Sequence, residues 1–241
     1  MWFVLLVPLT VAAVTDTTDR QTRILPLPEG RALSIEVTVG SVRIDGWDRA
    51  DVEIVIDRHV PSVADQARLP VVIDDSPARL TIRAVQSGHG TDAALRTDLV
   101  VRVPRAALIE RVQVMEGRLV LTGLRGSITA DLRRGPIEAA DLSGSIRLET
   151  SIGPITVNGA RLVAGGVLRL RTFNGAIRLR LSERPANARI MALALNGSIV
   201  STIPLTMKDT WGPRWGEATF GAGEPVISLD VVTGTIDIRS P

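Results

Sequence analysis

Apolar and polar residues alternate along the first part of the chain. Between residues 33 and 56, aliphatic side chains occupy every second position in three successive stretches. Gly40 joins the first two stretches, and the turn Asp45-Gly46-Trp47-Asp48 separates the second from the third. Alternation with period two is typical of strands that have one buried face. Similar patterns predict further strands at 69–74, 79–85 and 98–103.

From Gly117 onward the chain becomes a repeat, in which an aliphatic residue follows each glycine by two positions. The glycines concerned are Gly117, Gly126, Gly135, Gly144, Gly153, Gly166, Gly175, Gly197 and Gly234. Units of this length hold one short strand and one turn, and a fixed period indicates stacked units. Two units form a coil of about 18–22 residues, which favours an all-β solenoid with parallel strands and glycines at its corners.

Stacking the coils predicts which residues lie above one another. One interior row would contain Ile137, Ile155, Ile177 and Ile199. A second interior row would contain Ile128, Ile146, Leu168 and Ile190. Two outer rows would contain Asp131, Glu149 and Arg171, and then Glu138, Thr156 and Arg178.

The segment RIMALAL (189–195) interrupts this pattern with an apolar outer stripe. If Ile190 and its alternate neighbours point inward, then Met191, Leu193 and Leu195 point outward. A stripe of this kind is usually covered by another part of the protein. We expect residues 205–225, which contain Trp211, Trp215 and Phe220, to fold over the stripe as a C-terminal cap.

The N-terminus predicts export. Residues 2–14 are all apolar or small, and Val11-Ala12-Ala13 places small residues suitably for cleavage after Ala13. The expected organisation is a signal peptide at 1–13, a linker at 14–30 and a β domain at 31–239. The mature protein would be periplasmic, cell-surface or extracellular, with membrane attachment only through an uncleaved N-terminal segment.

Composition excludes several classes of site. The chain has a formal net charge of +2 and no cysteine, which argues against a nucleic-acid surface and excludes thiolate chemistry. Its two histidines, His59 and His89, are too few for a His-based metal site, and His59 is expected to pair with Asp57 on the surface. The glycines lack the flanking residues of a phosphate-binding loop or a calcium-binding repeat. No catalytic residue, metal site or cofactor is therefore expected.

Several segments resemble the DUF4097 family, whose members are called β-strand repeat or putative adhesin proteins. They are GSVRIDGWDRADVEIV (40–55), DLVVRVPRA (98–106), GSIRLETSIGPITV (144–157), LRTFNGAIRL (170–179) and FGAGEPVISLDVVTGTIDI (220–238). The resemblance covers about residues 31–239. It implies a right-handed parallel β-helix-like solenoid, commonly exported or associated with the bacterial envelope, and no established catalytic residues. The chain departs from the usual Thr-Ser-Asn-Gly corner at Thr150-Ser151-Ile152-Gly153.

Together these observations predict an all-β solenoid with an antiparallel N-terminal part and a C-terminal cap. We expect a non-catalytic, adhesin-like binding or structural module that contacts an envelope polymer or a surface protein. The candidate binding residues are outward arginines, namely Arg147, Arg169, Arg171, Arg178 and Arg180. Two alternatives remain open: a polysaccharide-active enzyme built on a β-helix, and a sensor or scaffold for envelope stress. The sequence does not indicate an oligomeric state.

Overall fold

The computed structural model describes residues 17–88, 90–208 and 212–241. Within these ranges nearly all regular structure is strand, and a short 3-10 helix at Val63–Arg68 is the one helical segment. The predicted all-β class is therefore confirmed. The predicted signal peptide, His89 and Trp211 lie outside the described residues. No helix in the described part of the chain is long and apolar enough to cross a bilayer.

The strands are numbered in chain order. They are β1 (Thr17–Pro26), β2 (Ala32–Trp47), β3 (Asp51–Val60), β4 (Val71–Asp75), β5 (Arg79–Ala84), β6 (Arg96–Pro104), β7 (Leu108–Thr122), β8 (Ser127–Arg134), β9 (Ile137–Ala140), β10 (Ser145–Ile152), β11 (Ile155–Ala160), β12 (Val167–Asn174), β13 (Ile177–Leu181), β14 (Ala188–Ser201), β15 (Thr206–Lys208), β16 (Arg214–Phe220) and β17 (Val226–Arg239).

The strands pair in two parallel ladders. The first ladder has the order β5, β2, β7, β8, β10, β12, β17 and β14. The second ladder has the order β6, β2, β7, β9, β11, β13, β17 and β14. Four long strands, β2, β7, β14 and β17, therefore run through both ladders and join them into one sheet around one core.

The predicted right-handed parallel β-helix-like solenoid is wrong. The strands form a closed barrel of eight parallel strands with extra strands attached. An open solenoid stacks its coils in chain order, whereas the last strand, β17, lies between β12 and β14 in the first ladder. It lies between β13 and β14 in the second ladder. Strand β2 is placed out of chain order in the same way, because it separates β5 and β6 from β7.

The predicted register is confirmed across the middle strands. The paired interior residues are Ile137, Ile155 and Ile177 in one row and Ile128, Ile146 and Leu168 in the other. All six side chains are buried. The outer rows also align as predicted: Asp131 with Glu149 and Arg171, and Glu138 with Thr156 and Arg178. The repeat therefore predicts correctly which inward residues and which outward residues are neighbours on adjacent strands.

The predicted last rungs are wrong, because β17 takes their place. Ile236 of β17 pairs with Ile177 on one side and with Ile199 on the other. Strand β17 separates Ile190 from β12 in the same manner. The chain therefore returns from β14 to fill a gap inside the barrel rather than adding a further coil at its end.

The two ladders meet along a row of glycines, which we call the glycine corner. In spatial order it contains Gly40, Gly117, Gly135, Gly153, Gly175, Gly234 and Gly197. At each position beyond the first, an added Cβ atom would overlap the carbonyl oxygen of the preceding glycine. The long strands can therefore bend here only because no side chain separates neighbouring backbones.

The extra strands are antiparallel and pair with the end strands of the two ladders. In the first ladder β4 pairs with β5, while β16 and then β15 follow β14. In the second ladder β3 and then β1 follow β6. Strand β1 lies within the segment 14–30, which the sequence predicts as a linker, and it pairs with β3 along its whole length. His59 of β3 contacts Asp98, with 3.2 Å between Nε2 and Oδ2.

The expected cap extends the sheet instead of folding over its outer face. Ile190, Ala192 and Ala194 are buried as predicted. Leu193, one of the outward residues, lies directly opposite Trp215 in the antiparallel pairing of β14 with β16. The aromatic segment therefore protects β14 through backbone pairing at its edge, which satisfies the strand's exposed hydrogen-bonding groups.

Candidate functional site

The five candidate arginines lie on two different ladders. Arg147 and Arg169 are neighbours across β10 and β12, and Arg171 follows two residues later on β12. Arg178 and Arg180 lie on β13 in the second ladder. The structure therefore brings them together as two separate groups rather than as one site.

Two of these arginines are paired with carboxylates. Nη1 of Arg171 lies 3.7 Å from Oε1 of Glu149, and Nη2 of Arg169 lies 3.9 Å from Oδ2 of Asp230. The other three have no carboxylate oxygen within 4 Å among the described residues. All five are exposed on outer sheet faces, where nothing encloses a ligand.

A concave site lies elsewhere, at the carboxyl ends of the second ladder. These strands run from the glycine corner to the opposite end of the barrel, where they form a groove of about 570 Å³. Its lining residues are Asp45, Gly46, Asp48, Arg105, Thr122, Gly123, Arg125, Asp141, Leu142, Ser143, Gly159 and Arg161. This volume is within the range of small-ligand sites.

The floor of the groove is built from three stacked left-handed turns. Gly123, Asp141 and Gly159 have φ angles of +66°, +52° and +69° and follow one another at intervals of 18 residues. Aspartate tolerates this conformation better than most residues with a Cβ atom. Gly159 leaves room for its neighbour, since an added Cβ would lie only 2.8 Å from Oδ1 of Asp141. The turns therefore place the Asp141 carboxylate over the groove floor.

The residues after these turns form a row of polar side chains. Leu124, Leu142 and Ala160 are buried and fix each turn against the core. The next residue of each turn points outward, which gives Arg125, Ser143 and Arg161.

Backbone hydrogen bonds join this row rung by rung. The Ser143 N–H donates to the Leu124 carbonyl at 2.9 Å, and the Arg161 N–H donates to the Leu142 carbonyl at 2.9 Å. Arg105 extends the row on the β6 side, because its carbonyl accepts the Arg125 N–H at 2.6 Å.

Arg105 is held in place at the rim of the groove. Its Nε donates to Oδ1 of Asp48 at 2.8 Å, and its Nη1 donates to the Gly123 carbonyl at 3.2 Å. Hydrogen bonding to Arg105 lowers the pKa of Asp48, and the positive charges of Arg105 and Arg125 act in the same direction. The Asp48 carboxylate is therefore ionised across the physiological pH range and fixes the guanidinium beside it.

The groove offers both acceptors and donors to a ligand. Asp45 accepts one bond from Arg43, at 2.7 Å, through Oδ2, and its Oδ1 is buried and has no hydrogen-bond partner in the described part of the chain. Arg125 and Arg161 have no carboxylate oxygen within 4 Å among the same residues. Two guanidinium groups thus remain available next to the carboxylates of Asp45 and Asp141.

A more apolar hollow of about 530 Å³ adjoins the groove and shares Asp48, Arg105 and Arg125 with it. Trp47 lies in this hollow with Pro28 and Pro104. The indole Nε1 of Trp47 donates to the Asp51 carbonyl at 2.9 Å, and the Arg49 guanidinium lies 4.5 Å from the ring centroid. We call this surface the Trp47 shelf. Polar groove and shelf together form a continuous surface of mixed chemistry.

The described residues contain no group of three or more His, Cys, Asp or Glu side chains that could hold a metal ion. Asp45, Asp48 and Asp141 of the groove do not form such a group. The chemistry that the groove supports is hydrogen bonding and ion pairing.

Sequence reasoning missed the groove residues, although a signal for them exists. Gly123, Asp141 and Gly159 recur every 18 residues, and Arg125 and Arg161 lie 36 residues apart, which is two such intervals. An interval of one coil places residues on the same side of a stacked repeat. Looking for charged residues at this interval would have identified the arginine row.

Acidification is expected to lower the thermal stability of the protein. Hydrogen bonds from Arg58 to Asp19 and from Arg105 to Asp48 lower the folded-state pKa of both carboxyl groups. The unfolded chain therefore binds protons first, so this stability is complete above about pH 4 and is lost as the pH falls through the folded-state values. Calorimetric scans from pH 7 to pH 2.5 should show Tm falling mainly below pH 4. A Tm that stays level or rises over that interval would contradict these two assignments.

Comparisons with known proteins support the fold only. No family model matches the chain, and no curated protein matches it, so membership of the DUF4097 family stays a prediction. The chain is similar to the crystal structure of a "putative cell adhesion protein" from Clostridium sporogenes, with a TM-score of 0.56 and 12% sequence identity. The match covers 93% of this chain and 100% of that chain. At this identity the likeness shows a shared fold and not a shared ligand.

A weaker match is a "putative adhesin" from Bacteroides fragilis, with a TM-score of 0.38, 12% identity, and coverage of 92% of this chain and 97% of that chain. A "putative lipid binding protein" from Parabacteroides distasonis gives a TM-score of 0.37 and 10% identity, with the same coverage. Likeness at this level carries no argument about this protein.

Proposed function

We propose that the chain is an exported, non-catalytic binding module of the adhesin-like kind, and that its groove takes an acidic polysaccharide of the cell envelope. The observation that carries the proposal is the row of Arg125 and Arg161, two open guanidinium groups beside carboxylate acceptors and the Trp47 shelf. The surface protein that the sequence left as a second kind of partner is less suited to a narrow groove.

The mixed charge of the groove favours a carbohydrate that carries carboxylates. Guanidinium groups bind carboxylates through paired, charge-assisted hydrogen bonds, so Arg125 and Arg161 suit two acidic groups of a polymer. Asp45 and Asp141 would repel a ligand that is anionic throughout, but the Asp141 carboxylate can accept hydrogen bonds from sugar hydroxyls. An apolar shelf with an aromatic ring suits the C–H face of a sugar ring.

The electrostatics of the groove support binding rather than bond cleavage. Hydrolysis of a glycosidic bond generally uses a carboxylic acid whose pKa is raised so that it can donate a proton. Arg105 shifts the pKa of Asp48 in the opposite direction. The polysaccharide-active enzyme that the sequence left open therefore receives no support from the Asp48 carboxyl group.

The proposal of export rests on the N-terminal sequence. An apolar N-terminal run that ends in small residues is typical of a secretory leader, and a cysteine-free β domain is compatible with any compartment outside the cytoplasm. A ligand of the envelope requires this location. The cleavage site after Ala13 stays a prediction.

Titration calorimetry with polygalacturonate, and with dextran as a neutral control, tests the proposal. We expect saturable binding to polygalacturonate that weakens as salt is added, because the contacts are between exposed charges, and no saturable binding to dextran. A parallel assay for new reducing ends and unsaturated products should remain negative. Turnover of the polymer would show that the protein is an enzyme rather than a binding module. Equal binding to both polymers would show that the arginines do not select an acidic ligand.

A further inference from the structure

The outer surface of the glycine corner carries exposed apolar side chains. We call this set the corner stripe, and it contains the exposed residues Met115, Ile152, Phe173 and Leu195 together with the half-buried Val232. Phe173 is 62% exposed, Ile152 is 48% exposed, and Met115 and Leu195 are each 41% exposed. Aliphatic and aromatic side chains exposed to this degree on neighbouring strands are unusual for a surface without a partner.

Strand register makes the corner stripe continuous. The residues on either side of Phe173 pair with Val231 and Thr233, so Phe173 lies beside Val232. Val231 and Thr233 pair in turn with residues on either side of Leu195. Because neighbouring strands lie about 4.8 Å apart, these three side chains form one patch. Ile152 adjoins it through the pairing of β10 with β12.

Basic side chains interrupt the stripe. Arg133 and Arg134 end β8, between the strand of Met115 and the strand of Ile152. Together with Phe173 these residues line a hollow of about 690 Å³. Nη1 of Arg134 lies 3.6 Å from Oε2 of Glu116, the one acidic residue in this lining, and Arg133 has no carboxylate oxygen within 4 Å in the described part of the chain. The hollow is therefore apolar at its sides and cationic at its centre.

We propose that the corner stripe docks on the surface of an anionic lipid bilayer. Phe173, Ile152 and Leu195 would enter the interface between headgroups and acyl chains, and Arg133 and Arg134 would contact the headgroup phosphates. This combination of a narrow apolar ridge and flanking arginines is what favours interfacial binding to anionic membranes. The inference is independent of the polysaccharide groove, which lies at the other end of the second ladder.

The path of the chain fits this orientation. Strand β1 begins at Thr17, and its Asp19 lies in the same rung as Arg58 and Thr97, next to Gly40 of the glycine corner. The apolar residues 2–14 precede this point directly. An N-terminal segment that stays uncleaved and enters a membrane would therefore leave the glycine corner on the membrane side. Gly46 follows Gly40 by six positions on β2, so the groove lies about 20 Å further along the strands.

A single-cysteine probe tests this orientation, since the chain has no native cysteine. In the full chain, Phe173→Cys is labelled with an environment-sensitive fluorophore and mixed with vesicles of phosphatidylcholine and phosphatidylglycerol, whose anionic headgroups supply the surface potential that attracts basic residues. We expect a blue shift and quenching by spin-labelled lipid. The matched control is Ile24→Cys, because Ile24 is 55% exposed and lies near the groove end of the second ladder. Equal quenching of both probes would overturn the proposal.

Unlabelled variants test the contribution of each group. In vesicle co-sedimentation, Phe173→Ser is expected to weaken binding about tenfold, the loss given by removing one interfacial aromatic side chain, whereas Ile24→Ser leaves it unchanged. Arg133→Gln should weaken binding to phosphatidylglycerol vesicles more than Arg147→Gln does. Membrane docking would be contradicted if none of the four substitutions weakened vesicle binding. It would also be contradicted by a Phe173-dependent dimer in sedimentation equilibrium without lipid. The dimer would instead identify a second copy as the occupant.

Discussion

Replacing Gly135 with alanine is expected to destabilise the barrel by at least about 3 kcal/mol and to lower Tm by roughly 10 °C. Gly135 has a φ angle of +133°, and a Cβ atom added there would lie 1.7 Å from the carbonyl oxygen of Gly117. The overlap is with backbone, so no side-chain rotation relieves it. The two strands would have to separate at the corner, which breaks the pairing of β7 with β8 and β9. Thermal unfolding followed by circular dichroism measures the change.

Gly165→Ala is the matched control for this experiment. Gly165 also has a positive φ, +72°, but an added Cβ would meet no atom within 4 Å. This substitution includes the cost of a left-handed backbone, about 1–2 kcal/mol, without the overlap. The difference between the two variants therefore isolates close packing at the glycine corner. Equal losses of stability would mean that backbone conformation alone limits these positions.

The sequence predicted the local register of this fold well. Period-two alternation identifies the inward side chains of each strand, and the repeat interval identifies their neighbours on the next strand. Ile155 lies between Ile137 and Ile177 for this reason. Both rules depend only on residues close together in sequence, where chain geometry leaves few alternatives.

Closure of the barrel could not be predicted in the same way. Gly197 and Gly234 are both followed by an isoleucine two positions later, at Ile199 and Ile236. The two units therefore present nearly the same interior side chains to β13, and the repeat cannot tell which of them pairs with it. The choice falls on β17, which is also the strand that pairs with β14 along almost its entire length. Long-range pairing therefore decides the topology here, and the local sequence pattern does not predict it.

The groove was missed for a related reason. Asp48 and Arg105 are 57 residues apart, and they meet because β2 pairs with β6. The turn positions carried a usable signal, but Asp141 replaces the glycine found at Gly123 and Gly159 and so conceals the recurrence. The arginines that sequence reasoning chose were identified by outward orientation alone, which does not distinguish a flat sheet face from a concave end.

Replacing Arg125 and Arg161 together with glutamine is expected to weaken polygalacturonate binding about 100-fold. Each guanidinium would lose one charge-assisted contact with a ligand carboxylate, and about 1.4 kcal/mol for each contact corresponds to a tenfold loss. Both side chains are exposed and lie after turns whose buried residues, Leu142 among them, remain unchanged. The fold should therefore be retained, with Tm within a few degrees of the parent. Titration calorimetry at fixed salt measures the affinity of each form.

The control for charge is the double variant Arg147→Gln with Arg178→Gln. It also removes two positive charges, but from outer sheet faces, where neither arginine has a carboxylate oxygen within 4 Å among the described residues. If the groove is the site, this control binds within about threefold of the parent, because distant charges act only through a screened field. Equal weakening of both double variants would mean that net charge alone drives binding. If only the control variant lost affinity for polygalacturonate, the binding site would lie at the outer arginines. The geometry favours the groove, since two open guanidinium groups lie there in one row beside hydrogen-bond acceptors and an apolar shelf.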